Sequence, residues 1–406
     1  MKVLYISTVF PREGAGATIY TDLAEELARR GHQVTVVAAE GKKYRGKTRL
    51  VQERGCEVLW VCVGDLYDVG LVKKAISQLT LQNRLISAMR HMLPERAFDV
   101  VLFEAPPVTT YRAVEFAKQR FSAHSYLMLK DIFPQNAVDL GIMRAGSVLY
   151  RFYRHKEKKL YAAADIIGCM SSANRQYILS HNPEIPAYKV EIFPNTKRVG
   201  SIPVSESRMS TLREKYGIPT TAVVFLFGGN MGKAQAPEFL CSAAERLKEE
   251  LNIFFLFVGR GTEKEKIRRR ISSLKNALYL ENLPRDEYER LAAECDVGIL
   301  CLNSCFTIPN YPSRILSYME CALPVLAATD SNTDIPVLIE EAECGVCCSS
   351  ENLEEFIEKV TILAADAKSR ATMGKNGRHY LEKNLCVERS AEQLEQLAQG
   401  KGWLKR

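Results

Sequence analysis

Residues 2–38 read KVLYISTVFPREGAGATIYTDLAEELARRGHQVTVVA. The run 2–7 is apolar and β-branched, and 20–30 places Leu23, Ala24, Leu27 and Ala28 on one face at helical spacing. Gly31-His32 ends that helix, and 34–38 is a second apolar run. Continuous rather than alternating apolar strands on either side of an amphipathic helix predict a parallel pair buried on both faces. A leader peptide is the competing reading of the first residues. The apolar run is short, stops at Pro11-Arg12-Glu13 and offers no small-residue cleavage site, so a buried first strand is expected.

The same grammar continues outward. Runs 58–63, 99–103, 125–129 and 165–170 read as further strands, and the pattern restarts after Pro194 with 223–227, 254–258, 277–280, 297–302 and 324–328. Helices are predicted near 237–250, 263–274, 286–295 and 312–321. A chain of 406 residues exceeds the usual reach of one core, and the Pro/Ser-containing stretch 202–210 is the expected linker. The expected division is 1–200, 201–385 and a polar C-terminal helical segment, 386–406, packing back toward the first domain. The fold class is therefore α/β, with two Rossmann-like parallel sheets facing each other across a cleft. Ligands of such sheets sit beyond the carboxyl ends of the strands.

The loops at those ends carry the candidate chemistry. After the first strand come Gly14 and Gly16, where the backbone can approach a ligand closely. Glu40, at the end of the second strand, invites a dinucleotide-binding reading, but the glycines lie too far past Ser7 for that fingerprint. A plain surface loop is the alternative. The second half opens with Phe227-Gly228-Gly229-Asn230-Met231-Gly232-Lys233, a strand and a glycine loop with one cation, suited to a departing diphosphate. Lys233 can equally be an ordinary solvated lysine. Gly259-Arg260 repeats the strand-then-glycine pattern. In 310–320, Asn310 is a possible cap and Pro312 an early helical residue, so that Ser313 and Arg314 would add a hydroxyl and a charge at a helix start. In the first half, Lys130-Asp131 follows a strand; Asp131 can orient or deprotonate an acceptor hydroxyl, or only cap a turn.

Taken in order, these segments resemble the family-4 retaining glycosyltransferases of the GT-B fold over nearly the whole chain, with a flavour of bacterial capsule and O-antigen transferases. The resemblance rests on DLAEELARRGHQVTVV, AADIIGCMS, EIFPN, FLFGGNMGKAQ, FVGRG, NALYLENLPRDEYERLAAECDVGIL and PSRILSYMECALPVLA. It implies transfer of a sugar, with retention, from a nucleoside-diphosphate sugar (a UDP-sugar is favoured) to a glycan or polyprenyl-diphosphate-linked acceptor in cell-surface polysaccharide synthesis. It also implies that no metal and no further cofactor is essential. Lys233, Asp131 and Arg314 are the catalytic candidates. Gly14, Gly16, Gly229, Asn230, Lys233, Gly259, Arg260, Asn282, Pro312, Ser313, Arg314 and Ser317 are the donor-binding ones. Several positions depart from the pattern. Ser317 and Pro309 stand where the family often has paired glutamates, with Glu320 one helical turn from Ser317. Ala322 replaces a glycine, Asn230 an arginine and Gln235 a lysine. A sugar-nucleotide epimerase on the same fold, or a non-catalytic partner of a transferase, remain as alternatives.

Composition narrows the rest. A net charge of +7 with 47% apolar and 25% charged residues suits a globular chain with an anionic ligand or an anionic membrane. The cations lack a recognisable nucleic-acid module, so nucleic acid is not an expected partner. Twelve cysteines read as reduced core residues, since the spacing Cys344–Cys347 with Cys348 completes no metal site. No Asp-x-Asp occurs. A cytoplasmic location is expected from the reduced cysteines, and attachment to the inner face of the plasma membrane is the expectation from two stretches of interleaved cations and apolar residues. One holds Arg144, Arg151, Arg154, Lys156, Lys158 and Lys159 with Val148, Leu149, Phe152 and Tyr153; the other holds Lys73, Lys74, Arg84 and Arg90 with Leu79, Leu81, Leu85, Ile86 and Met89. A solvated basic face over a core stripe is the alternative for both.

Overall fold

The computed structural model describes residues 1–41, 46–64, 71–200, 211–281 and 283–405, without the side chains of 71–76, 78, 79 and 285. The expected linker 202–210 and Asn282 lie outside the described residues. The chain forms two units, Met1–Arg198 with Val387–Arg406, and Val199–Cys386.

In the first unit the apolar runs become strands because each is covered on both faces. They are β1 (Lys2–Ser7), β2 (Gln33–Gly41), β3 (Arg49–Glu53), β4 (Cys56–Val63), β5 (Val100–Ala105), β6 (His124–Leu129), β7 (Ile166–Cys169) and β8 (Val190–Ile192). They form one sheet in the order β3-β4-β2-β1-β5-β6-β7-β8, parallel except for β3 against β4. The chain leaves β1 toward β2 on one side and returns on its other side as β5. The gap beyond β1 and β5 is therefore the topological switch point, where open α/β sheets bind ligands. The C-terminal helix Val387–Gly400 belongs to this unit. Its Val387, Ala391, Leu394 and Ala398 share a core with Leu23, Ala24 and Leu27, and Trp403 stacks on His124 with ring centroids 4.9 Å apart.

The second unit holds β9 (Val223–Asn230), β10 (Ile253–Arg260), β11 (Ala277–Leu280), β12 (Val297–Cys301), β13 (Val325–Thr329) and β14 (Gly345–Ser349). Their order is β11-β10-β9-β12-β13-β14, all parallel, so this switch point lies beyond β9 and β12. Phe225, Phe227, Phe255 and Phe257 alternate into one core with Leu240 and Phe356. Arg213 is buried against it and meets Asp296 at 2.5 Å, while its other donors reach the Glu294 and Ala222 carbonyls. Asp296 in turn accepts the Val224 N–H at 2.8 Å, so this ion pair registers the start of β9.

Several expectations need correction. β3, β8 and β14 carry no apolar run of the kind that marks a buried strand. β3 is an edge strand, RLVQE, formed because Arg54 (φ 56°) and Gly55 (φ 70°) close a tight hairpin onto β4. The helix expected over 312–321 is Arg314–Glu320, and its N-cap is Ser313, not Asn310. Pro312 therefore precedes the helix. Of the two basic stretches, the described part of Leu71–Met92 is a core-packed helix with a solvated basic face: Leu81, Leu85 and Met89 are core residues, Arg84 donates to the Cys62 carbonyl and Arg90 lies over Phe116. Lys73, Lys74 and Leu79 have side chains outside the described set. Cys344, Cys347 and Cys348 are free thiols that burial holds up at about 12. Among the described residues no group of His, Cys, Asp and Glu is placed to hold a metal, and no helix is long and apolar enough to cross a membrane.

Replacing Arg213 with Leu removes the counter-cation of the buried Asp296 carboxylate. It is expected to lower the stability of the second unit by about 3–5 kcal/mol, read by urea unfolding.

Candidate active site

The second unit places most of the candidates together, at its switch point. Gly229 (φ 108°) and Gly259 (φ 151°) are register partners at the ends of β9 and β10, and a Cβ on Gly259 would lie 1.8 Å from the Gly229 carbonyl oxygen. Only glycine allows that approach. Asn230 and Arg260 are the next register pair, and both are exposed. Lys233 is exposed on a single 3-10 turn, Lys233–Gln235, rather than on the helix, which begins at Pro237. Asn303 pins this turn from the end of β12, donating from its side chain to the Lys233 carbonyl and from its backbone to Ala234, both at 3.0 Å.

Arg314 extends from the first position of its helix across the end of β9. Its guanidinium stands 4.7 Å over the Phe227 ring, and one amino group donates to the Asn230 carbonyl at 3.3 Å. The other amino nitrogen, Nη1, is buried with no acceptor in hydrogen-bond geometry. Lys233 has no carboxylate partner among the described residues. Two cations without counter-charges thus flank the loop 228–232. Ser313 is exposed, and Pro312 and Ser317 are partly so. Glu320 is not free to replace a missing glutamate at Ser317: it is buried and accepts the Gly200 N–H at 2.9 Å, within a knot completed by Arg378. Ala322, standing where the family has glycine, keeps a left-handed backbone at φ 50°.

The residue that joins these parts escaped the sequence reading. Tyr318, fully buried, donates to the Ile299 carbonyl at 2.9 Å and accepts the Gly228 N–H at 3.1 Å. Tyr279 similarly donates to the Gly259 carbonyl at 2.6 Å. Tyr318 lies in PSRILSYMECALPVLA, yet nothing in its spacing tells a core aromatic from a clamp.

In the first unit, Gly14 (φ 80°) and Gly16 (φ 99°) lie on a loop before the helix Ile19–Arg29, which Thr18 caps. Arg54 holds the loop, donating to the Pro11, Arg12 and Gly16 carbonyls while pairing with Glu25 at 2.6 Å. Glu40 is engaged by Arg12 and Arg49, whose cations keep its carboxyl below the usual range despite burial, so it cannot serve a ribose. Asp131 does cap its turn, accepting from the Ile132 N–H at 2.7 Å and from Asn136 at 2.5 Å; burial raises it to about 6. Its neighbour Lys130, reaching the Phe193 and Pro194 carbonyls, is lowered by burial to about 7. Glu104 ends β5 beside the switch point and was also unforeseen. It accepts the Thr8 N–H at 2.7 Å, its Oε2 is buried without a partner, and burial pushes it up to about 7. An acid inside the apolar run VLFEA was the available signal.

Two family models match. Residues 14–196 fit the glycosyl transferase 4-like domain, and residues 209–380 fit the glycosyl transferases group 1. This chain is a GT-B glycosyltransferase. WbjE, a candidate glycosyltransferase of Pseudomonas aeruginosa, is 25% identical over 62% of this chain and 63% of its own length. WcaI of Escherichia coli K12, a candidate colanic acid biosynthesis glycosyl transferase, is 22% identical over 97% of this chain and 98% of its own. The crystal structure of Anabaena HepE in complex with UDP-glucose superposes with a TM-score of 0.69 at 16% identity, over 98% of this chain and 100% of that one. The fold of this GT-B chain thus agrees with the two-sheet architecture above.

Two outcomes follow from the geometry. A Cβ on Gly298 would lie 2.3 Å from the Tyr318 ring, so Gly298→Ala should displace the clamp and cost about 1–3 kcal/mol of stability, read by urea unfolding. A raised carboxyl pKa stabilises the fold below the unfolded value, and that gain is lost as pH rises through the folded one. Glu104→Gln should therefore leave stability unchanged near pH 4 but raise it by about 3 kcal/mol at pH 8, measured by urea unfolding at both pH values.

Proposed function

We propose that this glycosyltransferase moves a sugar, with retention, from a UDP-sugar to a glycan or polyprenyl-diphosphate-linked acceptor in the synthesis of a capsular or O-antigen type polysaccharide. The observation that carries the proposal is the pair of uncompensated cations, Lys233 and Arg314, at the switch point of the second unit. When the bond from the anomeric carbon to the diphosphate breaks, charge gathers on the departing oxygen. Preorganised donors stabilise that charge without reorganising. Arg314 is held by Phe227 and Asn230, with a spare donor at Nη1, and the backbone around Gly229 allows close approach. Gly259 and Arg260 stand at the same strand ends, and with Pro312, Ser313 and Ser317, neighbours of Arg314 in the chain, they are assigned as further donor contacts.

In this reading the acceptor hydroxyl attacks the anomeric carbon from the face the diphosphate leaves, and its proton passes to the departing diphosphate oxygen. Asp131, held on its turn by the Ile132 N–H and Asn136, orients the acceptor. Leaving-group charge is met by side chains, so neither a metal nor a further cofactor is required. A nucleotide-sugar is bound to HepE, and WcaI carries a polysaccharide role in its name; both favour the UDP-sugar and the polysaccharide. A cytoplasmic location fits such a donor.

Lys233→Ala is expected to lower turnover by ~10²–10³, the usual effect of losing one such donor. The assay is nucleotide release from a panel of UDP- and GDP-sugars with and without EDTA, and unchanged turnover removes Lys233 from the mechanism. Interconversion of donors without release would instead support an epimerase. Absence of both would support a non-catalytic partner, for which the serine at 317 speaks.

A further inference from the structure

The helix Val148–Ala163 turns apolar residues outward where a core helix would hide them. Val148 is 87% exposed, Leu149 54% and Phe152 37%, and Ile142 in the preceding loop is 69% exposed. Of the eleven large hydrophobic residues exposed among the described residues, these four fall within one short stretch, so they form a patch rather than the usual scatter. The C-terminal half of the helix is buried through Glu157, Leu160, Tyr161 and Ala163, so the helix is anchored there and its N-terminal end is the part that protrudes.

Along the stretch 141–156 the charges have one sign. Arg144, Arg151 and Lys159 are exposed, with no acidic partner among the described residues. The remaining cations of the stretch are already used: Arg154 pairs with Glu157, Lys158 with Glu184, and Lys156 lies over the Phe152 and Tyr111 rings. No Asp or Glu occurs from Gly141 to Lys156, and the first turn of the helix has none, although a helix N-terminus favours acids. A protein that merely needed a soluble helix start would place an acid there.

We infer that Ile142, Val148, Leu149 and Phe152 form a wedge that enters the outer few ångströms of an anionic lipid surface, with Arg144, Arg151 and Lys159 on the lipid headgroups. This goes beyond the sugar-transfer reading and uses none of its residues. A second copy of the chain is a poor occupant, because a two-fold contact presses this cationic patch against the same cationic patch. The apolar side chains protrude at the helix start and from the loop before it. Protruding apolar side chains ringed by cations match the boundary between headgroups and acyl chains.

Flotation with phosphatidylcholine vesicles, with and without phosphatidylglycerol, tests this on the whole chain. The chain should float only with the phosphatidylglycerol vesicles and should be released by high salt. Arg151→Ala should lower partitioning about five-fold. Leu149→Asp should abolish it, with unchanged circular dichroism and unchanged UDP-induced thermal shift. Leu149→Trp supplies an independent readout: its fluorescence should shift to the blue on binding vesicles. No flotation at low salt, equal flotation with neutral vesicles, or undiminished binding by Leu149→Asp overturns the inference. Self-association that Leu149→Asp removes, without any vesicle binding, assigns the patch to a second copy instead.

Discussion

The Tyr318 hydroxyl is buried between two strands and a helix, donating to Ile299 on β12 and accepting from Gly228 on β9. A parallel sheet covered on both faces leaves only its strand ends available for chemistry, and their backbone groups have no ladder partners. At this switch point one phenol satisfies two such groups. It thereby fixes the loop 228–232 and the helix that carries Arg314. Gly298 has no side chain because the Tyr318 ring occupies that space, and Gly228 leaves room for Tyr288. The cation's position therefore depends on a neutral hydrogen bond in the core.

The first unit meets the same problem with charge. Arg54, from the hairpin between β3 and β4, satisfies three carbonyls of the glycine loop and is itself neutralised by Glu25. Glu104 takes the Thr8 N–H at the end of β1. Burial there favours its neutral form, as it does for Asp131 and, in the opposite direction, for Lys130. Titratable groups with values pushed toward neutrality thus gather at the strand ends of this sheet, where proton transfer or hydroxyl orientation is useful.

Departures from the family pattern have separate physical accounts. Ala322 keeps the left-handed turn at some conformational cost, since a methyl group is tolerated there less well than hydrogen. Glu320 is occupied in tying Gly200 to its helix, so its sequence proximity to Ser317 carries no functional weight. Lys233 is placed by Asn303, a residue with no motif of its own.

Hydrophobic periodicity was enough to reveal the two α/β repeats, most of their strands and the glycine loops. Burial on both faces of a parallel sheet writes a continuous apolar run into the chain, and β1, β2, β9 and β10 show it. The edge strands β3, β8 and β14 were not legible, because an edge strand is half solvated and needs no such run. Among the site residues, Gly229, Lys233 and Arg314 could be read from their place after a strand. Which cations stayed unpaired was legible only in part, since Glu157 follows Arg154 at helical spacing whereas Lys158 finds Glu184 on a separate segment. Tyr318, Arg54, Glu104 and Asn303 owe their roles to contacts between distant segments. The local sequence determined where backbone could turn and which faces were apolar. Only the tertiary structure decided which polar groups meet, because hydrogen bonds and ion pairs act over a few ångströms of space whatever the separation along the chain.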